Sequence, residues 1–220
     1  MEKKLKVGVL ASGSGTNLQA IIDRSERGEL TAEVVCVITN RADAFALERA
    51  RNHGIPAIHL NHKDFAGRDA YDSEVVAELH AHGVELVVLA GFMRIITPVI
   101  LNAFPQAVMN IHPALLPSFP GLDAQKQALE HGVKVSGCTV HFVDEGTDTG
   151  PIIIQAVVPI LAGDTVETLS QRIHVQEHLI YPQAIQFFAE GRLTVNGRRV
   201  VVTGPHAQDD SSLVNPARQL

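Results

Sequence analysis

Along much of this 220-residue chain, short apolar runs alternate with segments whose apolar residues recur every three or four positions. Residues 6–11, 34–39, 57–60, 85–90, 107–111 and 137–143 are near-continuous apolar runs of strand length. Between them, 18–27 and 42–53 read as helices, and Tyr71, Val75, Val76 and Leu79 fall at helical spacing. Strands apolar on both faces, alternating with helices, predict an α/β fold. The expected form is a Rossmann-like, mostly parallel twisted sheet with helices on both faces.

The C-terminal third changes character, and an antiparallel addition to the sheet is expected there. Residues 152–160 read as a strand. Asp164 with Glu167 three residues on looks like a helix N-cap, and Pro182 is expected to end or kink the helix that follows. Asn196-Gly197 between two short apolar runs signals a two-residue hairpin. From 204 to 220 the chain is polar and aperiodic, so a single domain over 1–203 with a loose tail is the simplest organisation.

Composition narrows the function classes. A formal net charge of −6 argues against broad nucleic-acid or anionic-membrane binding. No signal-peptide pattern or membrane-length apolar run occurs, so a cytoplasmic location is expected. The two cysteines, Cys36 and Cys138, lie in apolar runs and read as buried, reduced thiols.

Ser12-Gly13-Ser14-Gly15-Thr16-Asn17 separates the first strand from the first helix. Glycines there let backbone N–H groups approach a phosphate at a helix N-terminus. A dinucleotide fingerprint would need a third glycine where Leu18 stands, and an acid where the second strand ends in Thr39-Asn40-Arg41. A phosphate monoester fits better than NAD.

Asn110-Ile111-His112-Pro113 ends a strand, and Asp148-Thr149-Gly150-Pro151 follows downstream. An amide donor, a titratable imidazole and a carboxylate to set the imidazole's state suit attack on a carbonyl. No Ser or Cys nucleophile lies nearby, so the attacking group should belong to a substrate. His174-Val175-Gln176-Glu177-His178 matches the inverted zinc-protease pattern, but its candidate third ligands fall mostly in the tail. The histidine pairs His59/His62 and His80/His82 read as solvated element ends.

Taken in order, the glycine loop, Leu89-Ala90-Gly91-Phe92-Met93-Arg94, Asn110-Ile111-His112-Pro113, Gly137-Cys138-Thr139-Val140-His141-Phe142-Val143-Asp144, Asp148-Thr149-Gly150-Pro151 and Gln176-Glu177-His178 make the chain similar to the phosphoribosylglycinamide formyltransferases. These are folate-dependent enzymes of purine biosynthesis. The resemblance runs from about residue 6 to 193 and departs at Ala114, where the family commonly has Ser.

The resemblance implies formyl transfer from 10-formyltetrahydrofolate to glycinamide ribonucleotide without a metal. Asn110, His112 and Asp148 correspond to the catalytic trio. Gly15, Thr16 and Asn17 match the phosphate loop, and Glu177 the contact to the ribose hydroxyls. Arg68, Met93, Arg94, Ile95, Ile96, Asn110, Val143 and Asp144 match folate-facing positions. His141 and His174 receive no role. Small-molecule substrates and a monomer or homodimer are expected, with no nucleic-acid or membrane partner. The rival readings are formyltetrahydrofolate deformylase, methionyl-tRNA formyltransferase and a non-catalytic nucleotide-binding module. The transfer-RNA enzyme would need a further domain and a basic surface.

Overall fold

A computed structural model describes residues 3–204. The elements run β1 (Leu5–Ala11), α1 (Thr16–Glu26), β2 (Ala32–Thr39), α2 (Phe45–Asn52), β3 (Ala57–His59), a 3-10 turn at His62–Asp64, α3 (Arg68–Ala81), β4 (Leu86–Leu89) and α4 (Pro98–Ala103). They continue as β5 (Val108–His112), α5 (Ala124–Glu130), β6 (Val135–Phe142), β7 (Ile152–Pro159), α6 (Val166–Ala189), β8 (Leu193–Asn196) and β9 (Arg199–Val202). All nine strands join one sheet in the order β3-β2-β1-β4-β5-β6-β7-β9-β8.

From β3 to β5 every pairing is parallel. The antiparallel addition begins with β6, somewhat before the last third of the chain, and β6 also pairs antiparallel with β7. β9 then adds parallel to β7, and β8 closes the edge antiparallel to β9. Alternation along β1 explains the two cores. Val7, Val9 and Ala11 pack with Leu18, Ile21 and Ile22 of α1 and Ile173, Tyr181 and Ile185 of α6. Leu10 faces the opposite side with Val75 and Leu79 of α3 and Ile100 of α4.

Two local readings need correction, and a third is narrowed. Helix α6 is capped by Thr165, whose box is closed by Thr168 rather than Glu167. Asp164 instead accepts from Leu161 N–H at 2.7 Å and pairs with Arg172 at 2.7 Å, and that guanidinium holds its carboxyl well below the usual range. Pro182 does not end the helix: α6 continues to Ala189. A proline inside a helix costs ~3 kcal/mol. Burial of Ile180, Tyr181, Ala184 and Ile185 around it outweighs that cost. The hairpin turn is Gly197-Arg198, because Asn196 already pairs with Arg199. The expected tail at 204–220 lies, apart from Gly204, outside the described residues. Among the described residues, no helix is long and apolar enough to cross a membrane.

Candidate active site

The strand order reverses between β1, which leads outward to β2, and β4, which starts the other half. In open α/β sheets, ligand sites form at such a point, beyond the carboxyl ends of the strands. A cleft of about 750 Å³ opens there, walled by the glycine loop, residues 89–96, the end of β5, residues 121–125 and the loop after β6.

Gly15 is the N-cap of α1 in the left-handed region, φ 70°, with no side-chain cap. A Cβ on it would lie 2.9 Å from the Ala46 Cβ and 3.0 Å from its Cα, so α2 leaves room only for glycine. The first-turn N–H groups of α1 are therefore offered to a ligand without a competing cap. Arg49, which the sequence reading missed, fixes the loop from behind. Its guanidinium donates to Ser14 O at 2.8 Å and to Gln19 Oε1 at 3.0 Å. Asn17 Nδ2 donates to Glu177 Oε2 at 2.9 Å, tying the loop to α6. Glu177 is 4% exposed, and burial pushes its carboxyl above the usual range despite that hydrogen bond.

Asn110 and His112, two apart on β5, project to the same face. Across the antiparallel pairing, Asn110 lies opposite His141. His141 Nδ1–H donates to Phe142 O at 2.9 Å, which leaves Nε2 as acceptor for Asn110 Nδ2 at 3.2 Å. Burial pushes the His141 imidazole below the usual histidine range, consistent with a neutral ring. His112 Nε2–H donates to Phe119 O at 2.8 Å, and its Nδ1 stands 3.4 Å from Asp148 Oδ2. Asp148 Oδ2 also accepts from Gly121 N–H at 2.8 Å, and Oδ1 is 3.8 Å from His141 Nε2. Both Phe119 and Asp148 hold positive φ, 54° and 55°. Strain of that kind in non-glycine residues collects at functional sites.

The trio expected from the sequence thus comes together, with His141 and Phe119 as members it did not assign. The strand pairing that delivers His141 has no local signature, and the Phe119 contribution is a backbone carbonyl. Met93, Arg94, Ile95, Ile96, Val143 and Asp144 line the same cleft, as do Gly15, Thr16, Asn17, Glu177 and His174. Arg68 does not. It is exposed at the start of α3, beside a separate open depression formed by residues 66–70. In the zinc-like motif the His174 and His178 rings stack at 6.3 Å, while Glu177 is engaged by Asn17. Among the described residues, no three His, Cys, Asp or Glu side chains form a metal-holding group.

The chain matches the formyl transferase family over residues 5–185. It is 46% identical to phosphoribosylglycinamide formyltransferase of Escherichia coli K12, over 87% of this chain and 91% of that protein. It is 50% identical to the trifunctional purine biosynthetic protein adenosine-3 of Chironomus tentans, but spans only 14% of that protein's length. Glycinamide ribonucleotide transformylase 1 of Symbiobacterium toebii superposes with a TM-score of 0.91 at 55% identity, covering 93% of this chain and 96% of that one. A formyltetrahydrofolate deformylase of Pseudomonas syringae is more distant: TM-score 0.85, 30% identity, 91% of this chain and 66% of that one. Shared sequence over most of both chains, on the same fold, gives the conclusion that the chain belongs to the formyl transferase family, among the phosphoribosylglycinamide formyltransferases.

Proposed function

We propose that this chain transfers the formyl group of 10-formyltetrahydrofolate to the amine of glycinamide ribonucleotide in purine biosynthesis. The observation that carries the reading is one continuous cleft. A phosphate-type loop, Glu177, the loop carrying Met93, Ile95 and Ile96, and Asn110, His112 and Asp148 all line it.

The ribonucleotide phosphate sits on the N–H groups of Gly15, Thr16 and Asn17, and its ribose hydroxyls meet Glu177. The folate ring system lies against Met93, Ile95, Ile96 and the backbone around Val143 and Asp144. The substrate amine attacks the formyl carbon, and negative charge gathers on the former carbonyl oxygen. Asn110 Nδ2 has a second hydrogen, not used by His141, to donate to that oxygen. The Nδ1–H of protonated His112, whose nitrogen stands 3.4 Å from Asp148 Oδ2, supplies a second donor, and losing one such donor costs about 2.7–4 kcal/mol of transition-state stabilisation. With Nε2–H given to Phe119 O, a proton on His112 Nδ1 lies beside the Asp148 carboxylate, which orients the ring. Asp148 helps move the amine proton to folate N10, and the bond from N10 to the formyl carbon then breaks. We read residues 1–203 as one formyltransferase domain, working in the cytoplasm on small molecules as a monomer or homodimer, without nucleic acid, membrane or metal.

The test is folate turnover with and without glycinamide ribonucleotide, in chelator. Turnover only with the ribonucleotide is expected. Turnover without it would replace transfer by hydrolysis, the deformylase chemistry. No turnover in either case would overturn the reading.

A further inference from the structure

The loop from Gly91 to Thr97 inverts the usual surface pattern. Met93 and Ile95 are 68% and 60% exposed, whereas the charged Arg94 is turned inward and half-buried. Ile96 is buried in the core, and Phe92 packs against it. Burial does not account for the outward Met93 and Ile95 or the inward Arg94 between them, so other contacts must fix that part of the loop. Its N-terminal end is held by Ser12, whose N–H donates to Gly91 O at 3.1 Å. The Ser12 hydroxyl accepts from Met93 N–H at 2.9 Å and donates to Asn40 Oδ1 at 2.6 Å.

The remaining fixings come from two adjacent residues of α3. Arg94 Cζ lies 4.7 Å over the Tyr71 ring, and Asp72 Oδ2 accepts from Thr97 N–H at 2.6 Å. Tyr71 is fully buried and buttressed edge-on by Phe65 at 5.4 Å and, more loosely, by His62 at 6.5 Å. His62, at the start of its 3-10 turn, is partly exposed, though its Nδ1 is buried. Asp72 is 2% exposed, and the inward-turned Arg94 is close enough for its charge to favour the carboxylate. Burying an acid is costly for stability, and burial does push its carboxyl up despite the hydrogen bonds from Thr97 and the Arg94 charge.

We propose that Tyr71 and Asp72 are positioning residues for the folate half of the reaction, holding residues 93–95 so that Met93 and Ile95 stay presented to the cleft. Tyr71 holds Arg94 inward through its ring face, and Asp72 fixes the loop's exit through Thr97 N–H. Neither residue lines the cleft, so each acts through the loop. The inference rests on the assignment of that wall to folate.

The test compares Asp72→Ala, Asp72→Asn, Tyr71→Leu and Tyr71→Phe. Asp72→Ala should raise KM for 10-formyltetrahydrofolate about tenfold, the loss expected for one hydrogen bond to a charged group. KM for the ribonucleotide and kcat at saturating folate should stay within about threefold. Asp72→Asn keeps an acceptor and should recover most of the loss. Tyr71→Leu should raise the folate KM about fivefold, as loss of a cation–π contact does. Tyr71→Phe keeps the ring and should stay near the parent. Equal rises in both KM values, or a folate KM within twofold in both Asp72→Ala and Tyr71→Leu, would overturn the proposal. Hydrogen exchange at the Thr97 amide reads the anchor without any substrate and should quicken at least tenfold in Asp72→Ala. If wild type transfers no formyl group but that amide responds, the functional reading fails and the anchor stands. An unresponsive amide removes the anchor, whatever the assay gives.

Discussion

On the glycine-loop wall, the groups offered to a ligand are backbone N–H donors at the start of α1, with the side chains of Arg49 and Asn17 bracing the loop. On the strand-end wall they are side chains, and each leans on another: Asn110 on His141, and His112 on Phe119 and Asp148. A backbone wall depends on conformation and is insensitive to most side-chain changes. A side-chain wall depends on individual functional groups, and a single atom exchanged within it changes the chemistry. The difference teaches where binding and where turnover should reside.

The sharpest break should come from Asp148→Asn. The shape is kept and the charge facing His112 is lost, so kcat should fall roughly 10²–10⁴-fold with little change in either KM. A kcat near the parent's would remove Asp148 from the chemistry. The matching change on the other wall is Gly15→Ala. A left-handed alanine costs about 1–2 kcal/mol before the contact with Ala46 is counted. For a chain of this size Tm should drop by about 2–8 °C. KM for the ribonucleotide should rise while that for folate holds. Equal effects on both substrates would erase the distinction between the walls.

Glu177→Gln refines it. Burial raises the Glu177 carboxyl, so its proton is held more tightly in the folded state. The stability linked to that proton is fully present below the ordinary glutamate range and is lost as pH rises through the folded value. At pH 8 the Gln variant should therefore melt above the parent, with the gap closing near pH 4, while its ribonucleotide KM rises. A gap that widens at low pH would reverse the sign. The smallest effect concerns thiols away from both walls. Burial pushes Cys36 and Cys138 up to about 12, so iodoacetamide at pH 8 should label neither in the native protein and both in denaturant. Native labelling of either would show that its core face opens.

Much of this was legible in the residues. Apolar runs located the strands of the parallel half, and the order of the motifs located the glycine loop and Asn110, His112 and Asp148. Direction was not legible from β6 onward, because a strand buried on both faces reads the same whichever way it runs. That α6 runs on past Pro182 was not legible, because local propensity carries no account of the core that α6 crosses. Arg68 was carried over by position alone, and the structure seats it apart from the cleft. Arg49, Asn40, Tyr71 and Asp72 act across long sequence separations, through partners that only the closed fold brings near.

The Tyr181 hydroxyl lies 3.0 Å from both Leu89 O and Met109 O, on the adjacent strands β4 and β5. Glu177 stands one helical turn earlier on α6, and Asn110 directly follows Met109. Glu177 and Asn110 are thereby gauged from one buried hydroxyl against main-chain atoms, which substitution leaves in place. Tyr181→Phe should therefore loosen the alignment of the two substrates while leaving every group that touches them chemically intact.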